Sequence, residues 1–338
     1  MPSGFLDSLG GAAGCLRLAR AFYSRVGRDP VLKPLFPGKS LRCATEEFAA
    51  FLVQFLDGDE EETQHRWWLS LRESHARFRI GPAERSAWLT LMRATLDEAP
   101  LDEGTRTALR SFFLHSSAYL IGKDAAEPAH AELATRWGAQ RALDDVVAAL
   151  VAGEDEKVLA AAPALAARGS VFVGLAARMM QTGRTRLVRF VVEALERDPS
   201  LAERRFGGKS LLHFAAGAGC VAVVEALLRL GTDPDELDRG GHTALYCVAN
   251  ECGGEAGPAV VRMLVRAGAD VRACGGVTRA TALHMAARRG FVEMAWTLIE
   301  CGADVRARDY KGVTALGRAR NLRRTEVAAL IVERGGVV

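Results

Sequence analysis

The chain has 338 residues, of which 49% are hydrophobic and 25% are charged, and its formal net charge is only +3. This length is sufficient for two domains with sizeable cores. Because the charge is nearly balanced and forms no dense basic patch, we expect no nucleic acid as a partner. No stretch approaches the roughly 18 apolar residues of a membrane span. Residues 1–7 carry no basic leader and no long apolar core, so we expect no signal peptide.

The N-terminal part is predicted to be helical throughout. Apolar residues recur at helical spacing in four segments, over residues 13–26, 45–56, 82–98 and 102–121. Gly10 and Gly11 predict a chain bend before the first of these helices, and His75 lies near the end of a further short helical stretch. A helical pocket with one imidazole is suited to a flat apolar cofactor that makes one metal bond.

Several motifs follow one another along the first third of the chain. They are Gly10-Gly11, Phe22-Tyr23, Asp29-Pro30-Val31-Leu32-Lys33-Pro34-Leu35-Phe36-Pro37, His75-x-x-Phe78-x-Ile80-Gly81-Pro82-Ala83-Glu84-Arg85 and Trp88-Leu89-x-x-Met92. Through these motifs the stretch from Leu9 to Gly122 resembles the truncated haemoglobins, which are compact two-over-two helical globins, and most closely their second group.

The resemblance implies haem b (iron protoporphyrin IX), with His75 as the axial ligand of the iron. The other ring nitrogen of His75 would donate to the carbonyl oxygen of Leu71, one helical turn earlier. A non-covalent haem is expected because the chain has no Cys-x-x-Cys-His attachment site. Without the resemblance, a single histidine on a helix is more often a surface or core residue than a ligand.

The resemblance also implies which residues surround the cofactor. Besides His75 they are Tyr23, Phe36, Ala44, Phe48, Phe51, Leu71, Phe78, Ile80, Trp88 and Met92. The Tyr23 hydroxyl and the Trp88 indole N–H can both donate a hydrogen bond to a diatomic ligand. The alternative is that these two aromatic residues are ordinary core residues. We assign no catalytic residue.

Two features depart from the second group of that family. Ser74 stands where a basic residue often precedes the histidine, so Arg72 or Arg77 is expected to contact a haem propionate instead. Phe48 is bulky for its position and would narrow the pocket.

The C-terminal half contains an internal repeat. The motif Ser210-Leu211-Leu212-His213 recurs as Thr243-Ala244-Leu245-Tyr246, Thr281-Ala282-Leu283-His284 and Thr314-Ala315-Leu316-Gly317, at spacings of 33, 38 and 33 residues. The first three copies are followed by an apolar helix and a Gly-x-Asp turn, and an insertion at residues 251–258 explains most of the longer spacing. The pattern is similar to ankyrin repeats, which stack into protein-binding solenoids.

We therefore predict an all-α fold in which a truncated globin-like helical domain is followed by an ankyrin-repeat solenoid. The haem domain is expected at residues 1–124 and a linker with a docking helix at residues 125–140. The solenoid is expected at residues 141–338, with degenerate or capping repeats at 141–205 and clear repeats at 206–338.

The seven cysteines show no spacing typical of a zinc site. Most of them lie on predicted helix faces, as reduced structural thiols do. Reduced thiols are typical of the cytoplasm, so a cytoplasmic location is expected.

The leading interpretation is a haem protein that binds or senses oxygen or another diatomic gas and recruits an unidentified protein through its repeats. An alternative is a haem-based redox enzyme, such as a nitric oxide dioxygenase or weak peroxidase. That enzyme would need an external reductase, because the chain has no nucleotide or flavin fingerprint. A third interpretation is a globin half that serves only as a helical scaffold, with all function in the repeats.

Overall fold

The computed structural model describes residues 4–36, 40–57, 71–75, 78–122, 128–166 and 170–337. The chain divides into two compact units, Met1–Ala161 and Ala162–Val338. Helices dominate both units, which confirms the predicted all-α class, and the described strands form only two short hairpins. No helix in these described ranges combines the length and apolarity that crossing a membrane requires.

The first unit is built from helices, with a 3-10 turn at Lys33–Leu35. Its helices are α1 (Phe5–Ser8), α2 (Gly11–Val26), α3 (Arg42–Asp57), α4 (Leu71–His75), α5 (Pro82–Glu98), α6 (Glu103–Leu120), α7 (Ala131–Ala152) and α8 (Asp155–Ala166), the last of which crosses the boundary between the units. The four helices predicted from apolar spacing are all present, with each end within three residues of its predicted position.

Glycine sets the turn between α1 and α2. Gly10 has a φ of +84°, in the left-handed region that favours glycine, as the predicted chain bend requires. A Cβ atom at Gly14 would lie 1.6 Å from the carbonyl oxygen of Leu9, so only glycine allows the two helices to approach this closely.

The core of the first unit lies between the apolar faces of α2, α3, α5 and α6. Each contributes a side chain that is almost fully buried, namely Phe22, Leu52, Leu96 and Leu109. Helix α7 adds Leu133 and Trp137 to the same cluster. The Trp137 ring packs edge-on against Tyr119, with ring centroids 5.2 Å apart.

Helix α7 makes the first unit longer than the haem domain expected from the sequence. The expected boundaries lay at residues 124 and 140, whereas α7 runs without a break from Ala131 to Ala152 and belongs to the first unit. The physical reason is that Leu133 and Trp137 are apolar side chains that the helices of the first unit bury. Residues 123–127 of the expected linker lie outside the described residues.

The second unit consists of stacked helical pairs. Its helices are α9 (Ser170–Gln181), α10 (Thr185–Arg197), α11 (Leu211–Gly217), α12 (Val221–Arg229), α13 (Ala244–Glu251), α14 (Ala256–Arg266), α15 (Ala282–Arg289), α16 (Val292–Glu300), α17 (Ala315–Asn321) and α18 (Thr325–Glu333), with a 3-10 turn at Pro199–Ala202. The odd-numbered helices from α9 to α17 pack side by side in one layer, and the even-numbered helices from α10 to α18 pack in a second.

Two antiparallel hairpins precede helices of the repeats. Strand β1 (Arg205–Phe206) pairs with β2 (Lys209–Ser210), and β3 (Cys274–Gly275) pairs with β4 (Ala280–Thr281). These strands lead directly into α11 and α15.

The repeat motif has the predicted local structure. The hydroxyls of Thr243, Thr281 and Thr314 each accept the backbone N–H three residues on, which caps the following helix. Glycines after α12, α14 and α16 have left-handed φ values, at Gly231, Gly268 and Gly302.

The insertion in the repeats is shorter than predicted. The loop spans only residues 252–255, because α14 already begins at Ala256. Pro258 therefore lies in the first turn of α14, where the missing N–H group costs no intrahelical hydrogen bond.

Candidate functional site

The helices of the first unit surround a mostly apolar cavity of about 170 Å³. Ten of the eleven residues expected at a cofactor site line it: Tyr23, Phe36, Ala44, Phe48, Phe51, Leu71, His75, Phe78, Ile80 and Trp88. Met92 is buried in the core, but it is not part of the lining that the described residues form. The fold therefore brings together side chains from α2, α3, α4 and α5 and from the non-helical positions 36, 78 and 80.

His75, at the end of α4, is held by the turn that precedes it. Its Nδ1 atom lies 2.8 Å from the carbonyl oxygen of Leu71, as expected, and 2.9 Å from the Ser74 hydroxyl oxygen. The Ser74 hydroxyl also donates to the Leu71 carbonyl, at 2.8 Å. Because a carbonyl oxygen can only accept, this contact assigns the proton of a neutral imidazole to Nδ1. The lone pair is then on Nε2, as metal ligation requires.

An aspartate from α7 binds the beginning of α4. One oxygen of Asp144, Oδ1, accepts from the backbone N–H of Leu71 at 2.8 Å and from the Gln140 amide at 2.9 Å. The other, Oδ2, accepts from the backbone N–H of Arg72 at 3.3 Å. Burial raises the pKa of the Asp144 carboxyl, and these hydrogen bonds oppose the rise.

The sequence contains a signal that Asp144 is a buried, partnered carboxylate, although we did not predict this residue from the sequence. The buried positions of α7 near Asp144 include 143, 146, 147 and 150, all apolar residues at helical spacing. Asp144 falls on this same face and is only 2% exposed. A carboxylate on an apolar helix face requires partners, because an unpaired buried charge is very unfavourable.

Two of the aromatic residues that line the cavity, Tyr23 and Trp88, carry hydrogen-bond donors. The Tyr23 ring packs edge-on against Phe36, and the Trp88 ring packs against Phe113. In the described part of the chain, neither the Tyr23 hydroxyl nor the Trp88 indole N–H has a hydrogen-bond partner. Burial, followed by the charge of Glu47, raises the pKa of the Tyr23 phenol. Tyr23 therefore keeps its proton and remains a donor.

The lining also has a polar part, formed by α5 and α6. Arg85 donates to the Ser117 hydroxyl at 3.1 Å and to the carbonyl oxygen of Leu114 at 2.9 Å, and both Arg85 and Ser117 line the cavity. Lining residues of α6, such as Ser116 and Phe113, were not identified from the sequence, because their spacing is that of any core helix.

Of the two arginines expected to contact a propionate, only Arg72 is described, and it does not line the cavity. The Arg72 guanidinium lies over the ring of Tyr119, with its Cζ atom 4.0 Å from the ring centroid. Arg72 is not part of the described lining, whereas Arg85 is. Arg77 lies outside the described residues.

Comparison with known proteins assigns the first unit to a family. Residues 4–117 match the family described as "Bacterial-like globin". Over 111 residues the chain is 30% identical to the group 2 truncated hemoglobin YjbI of Bacillus subtilis, which covers 33% of this chain and 83% of that protein. The chain belongs to the bacterial-like globins. Membership of the bacterial-like globins implies a haem that binds diatomic ligands, and it confirms the resemblance inferred from the motifs.

The C-terminal part of this bacterial-like globin matches a second family. Residues 207–239 match "Ankyrin repeat" and residues 254–337 match "Ankyrin repeats (3 copies)". The chain is 42% identical over 108 residues to ankyrin repeat and SOCS box protein 11 of Danio rerio, which covers 32% of this chain and 34% of that protein. It is 32% identical over 132 residues to the E3 ubiquitin-protein ligase KEG of Arabidopsis thaliana, which covers 38% of this chain and 8% of that protein.

The chain thus spans well under two thirds of each of these two repeat-containing relatives. The ankyrin repeats predicted from the sequence are confirmed, and such repeats imply interaction with proteins.

Proposed function

We propose that the first unit holds haem b through His75 and binds oxygen or another diatomic gas, and that the repeats bind a protein partner. The observation that carries the proposal is the hydrogen bond between His75 Nδ1 and the Leu71 carbonyl oxygen beside an apolar cavity. When bound, haem supplies an iron centre that takes a diatomic ligand, while the surrounding side chains adjust its affinity.

The residues of the cavity fit a haem group in three respects. Aromatic side chains such as Phe36, Phe48 and Phe78 offer apolar surface to a flat macrocycle. His75 offers one imidazole whose other nitrogen is already engaged. Arg85 offers a cation, held in place by Ser117, that would pair with a propionate.

Tyr23 and Trp88 would determine how long a diatomic ligand stays in the cavity. Both carry a donor that no described residue engages, so each can donate to a ligand with partial negative charge. Ala44 and Phe48 carry no donor, so they would contribute only space and shape.

The repeats would bind their partner through the turns between neighbouring copies. Leu237, Val277 and Tyr310 lie in or beside these turns and are 53%, 92% and 55% exposed. Exposed apolar and aromatic side chains are frequent anchors in protein interfaces. A true partner should bind the wild-type protein but not a V277D/Y310D double variant.

We also propose a cytoplasmic location, because none of the seven cysteines forms a disulfide. Cys247 in particular is buried, and burial raises the pKa of its thiol to about 12.

The experiment that tests the haem proposal is an absorption spectrum of the purified full-length protein, with haem quantified per chain. We expect one haem per chain and reversible changes when oxygen or carbon monoxide is added to the ferrous protein. A protein that binds no haem would contradict the proposal and favour the scaffold interpretation. Turnover of nitric oxide or peroxide with a reductase would test the enzymatic alternative.

A further inference from the structure

We propose that Asp144 is a positioning residue for His75: its carboxylate holds α4 in place and strengthens the hydrogen bond that orients the imidazole. The inference rests on the proposed ligation of haem by His75. Asp144 belongs to α7, which lies entirely outside residues 4–117, the part of the chain that matches the globin family.

One peptide group joins the side chains of His75 and Asp144. The carbonyl oxygen of Leu71 accepts from His75 Nδ1 at 2.8 Å, and the N–H of the same peptide group, on Arg72, faces Asp144 Oδ2 at 3.3 Å. Hydrogen bonds at the two ends of a peptide group polarise one another. A carboxylate on the N–H therefore makes the carbonyl a stronger acceptor for the imidazole proton.

This polarisation changes the basicity of the His75 nitrogen that would bind iron. As the Leu71 carbonyl draws the Nδ1 proton more strongly, electron density on the imidazole of His75 rises and Nε2 becomes a more basic ligand. Asp144 thus acts on the ligand without touching it. The Ser74 hydroxyl, which also donates to this carbonyl, competes for the same oxygen.

Asp144 also caps the beginning of α4 itself. This helix has only five residues, and a helix of that length does not form alone in water. Its first backbone N–H groups have no partners within the helix. Asp144 accepts two of them, from Leu71 and Arg72, and the Gln140 amide holds the carboxylate in place. The orientation of His75 therefore depends on a cap supplied by another helix.

The same side of α7 also reaches α3. Arg136 donates to the carbonyl oxygen of Phe55 in the last turn of α3, at 3.1 Å, and pairs with Glu132 at 3.2 Å. Arg136, Gln140 and Asp144 are spaced by four residues and follow one side of α7. One side of α7 thus binds both the end of α3, which carries Phe48, and the beginning of α4, which carries His75.

The test uses full-length protein loaded with haem and compares wild type with D144N, D144A and the control D145N. Asp145 is the next residue of α7 and is exposed, so the control removes an equal charge without touching α4. The readouts are the iron–histidine stretching band of the ferrous unliganded protein, from resonance Raman spectroscopy, and the haem midpoint potential. The melting temperature of the haem-free protein is measured in parallel.

We expect the iron–histidine band to shift to lower frequency and the potential to rise in both Asp144 variants, with D145N indistinguishable from wild type. A merely structural role would lower the melting temperature and leave the band in place. If D144A does not fold, D144N decides the test, because asparagine keeps the shape of the side chain and removes its charge. An unchanged band in D144N overturns the inference, whereas a wild-type protein without haem would instead contradict the proposed function.

Discussion

The Nδ1 atom of His75 lies 2.8 Å from the carbonyl oxygen of Leu71, one helical turn earlier. This contact decides which imidazole nitrogen is available to a metal, because the nitrogen that donates to a carbonyl cannot at the same time offer a lone pair. It also links the proposed ligand to the rest of the first unit, since the backbone of Leu71 is bound in turn by Asp144.

Tyr23 and Trp88 are expected to slow the dissociation of oxygen. A hydrogen bond to a charged acceptor contributes about 1.5–3 kcal/mol, which corresponds to roughly a ten- to hundredfold change in rate. Oxygen should therefore leave Y23F and W88F faster than wild type in stopped-flow experiments. Y246F and W296F, which change the same residue types in the second unit, serve as controls. Rates within about twofold of wild type in both Y23F and W88F would show that neither side chain donates to the ligand.

Trp137 is expected to be part of the haem-binding unit, although it lies beyond residue 117. Its side chain is 1% exposed and packs against Phe112 and Tyr119. Truncation of such a residue typically costs about 3–5 kcal/mol, so W137A should destabilise the first unit by about that amount. The measurement is denaturant unfolding followed by the haem absorption.

The matched control for this prediction is V151A on the same helix, because Val151 is 77% exposed. A substitution of that kind should change the free energy of unfolding by less than about 0.5 kcal/mol. Equal stabilities of W137A and V151A would mean that α7 is dispensable for the unit.

Local motifs and the family resemblance were sufficient to predict ten residues of the cavity lining, and the gaps have physical reasons. The motifs that carry the family resemblance include His75 and Trp88, and the structure places both at one cavity. Helical spacing alone cannot show whether Met92 lines the cavity. Met92 lies one turn after the lining residue Trp88, and both residues lie on apolar parts of α5. Asp144 is 73 residues from Leu71, and only the folded chain brings the two together.

The boundary between the units also depends on contacts that form only in the folded chain. Residues 131–152 form one amphipathic helix whose sequence does not state which neighbour will bury it. The position of Leu133 and Trp137 in the first core becomes visible only once the globin helices are folded. The repeats were easier to predict, because each copy carries its cap and its turn in its own sequence.

The repeats are expected to lose stability as the pH falls below neutral. His213 donates from Nε2 to the carbonyl oxygen of His242 at 3.0 Å, while its Nδ1 accepts from the backbone N–H of Ser210 at 3.3 Å. His284 makes the same pair of contacts with Val313 and Thr281. Burial lowers the pKa of both imidazoles, and the hydrogen bonds from the rings to these carbonyls oppose the fall.

The direction of this pH effect on stability follows from the protonation of each histidine in the folded and unfolded states. The unfolded imidazole takes up a proton near pH 6.5, and the folded one only at lower pH. The stability that the neutral His213 and His284 provide is therefore present above about pH 6.5 and lost as the pH falls through the folded-state pKa. Hydrogen exchange of peptides from the repeats, corrected for intrinsic rates, should show less protection at pH 5.5 than at pH 7.5. An H213Q/H284Q variant with the same pH dependence as wild type would refute this assignment.

The cysteines are expected to differ widely in reactivity. Cys43 and Cys274 are exposed, whereas Cys247 is buried and its thiol pKa is raised to about 12 by burial. Because the thiolate is the reactive form, a maleimide should label Cys43 and Cys274 first and Cys247 only after unfolding. Mass spectrometry of the labelled protein gives the order. Early labelling of Cys247 in the folded protein would contradict its burial.

The central claim, that His75 binds the haem iron, is tested most directly by the ferrous absorption spectrum of H75G with and without free imidazole. Removing the ring leaves space in which imidazole can replace it, and H115A on α6 serves as the histidine control. We predict that H75G loses the five-coordinate ferrous spectrum of wild type, that imidazole restores it, and that H115A keeps it. Haem content and a ferrous spectrum unchanged in H75G would contradict the account.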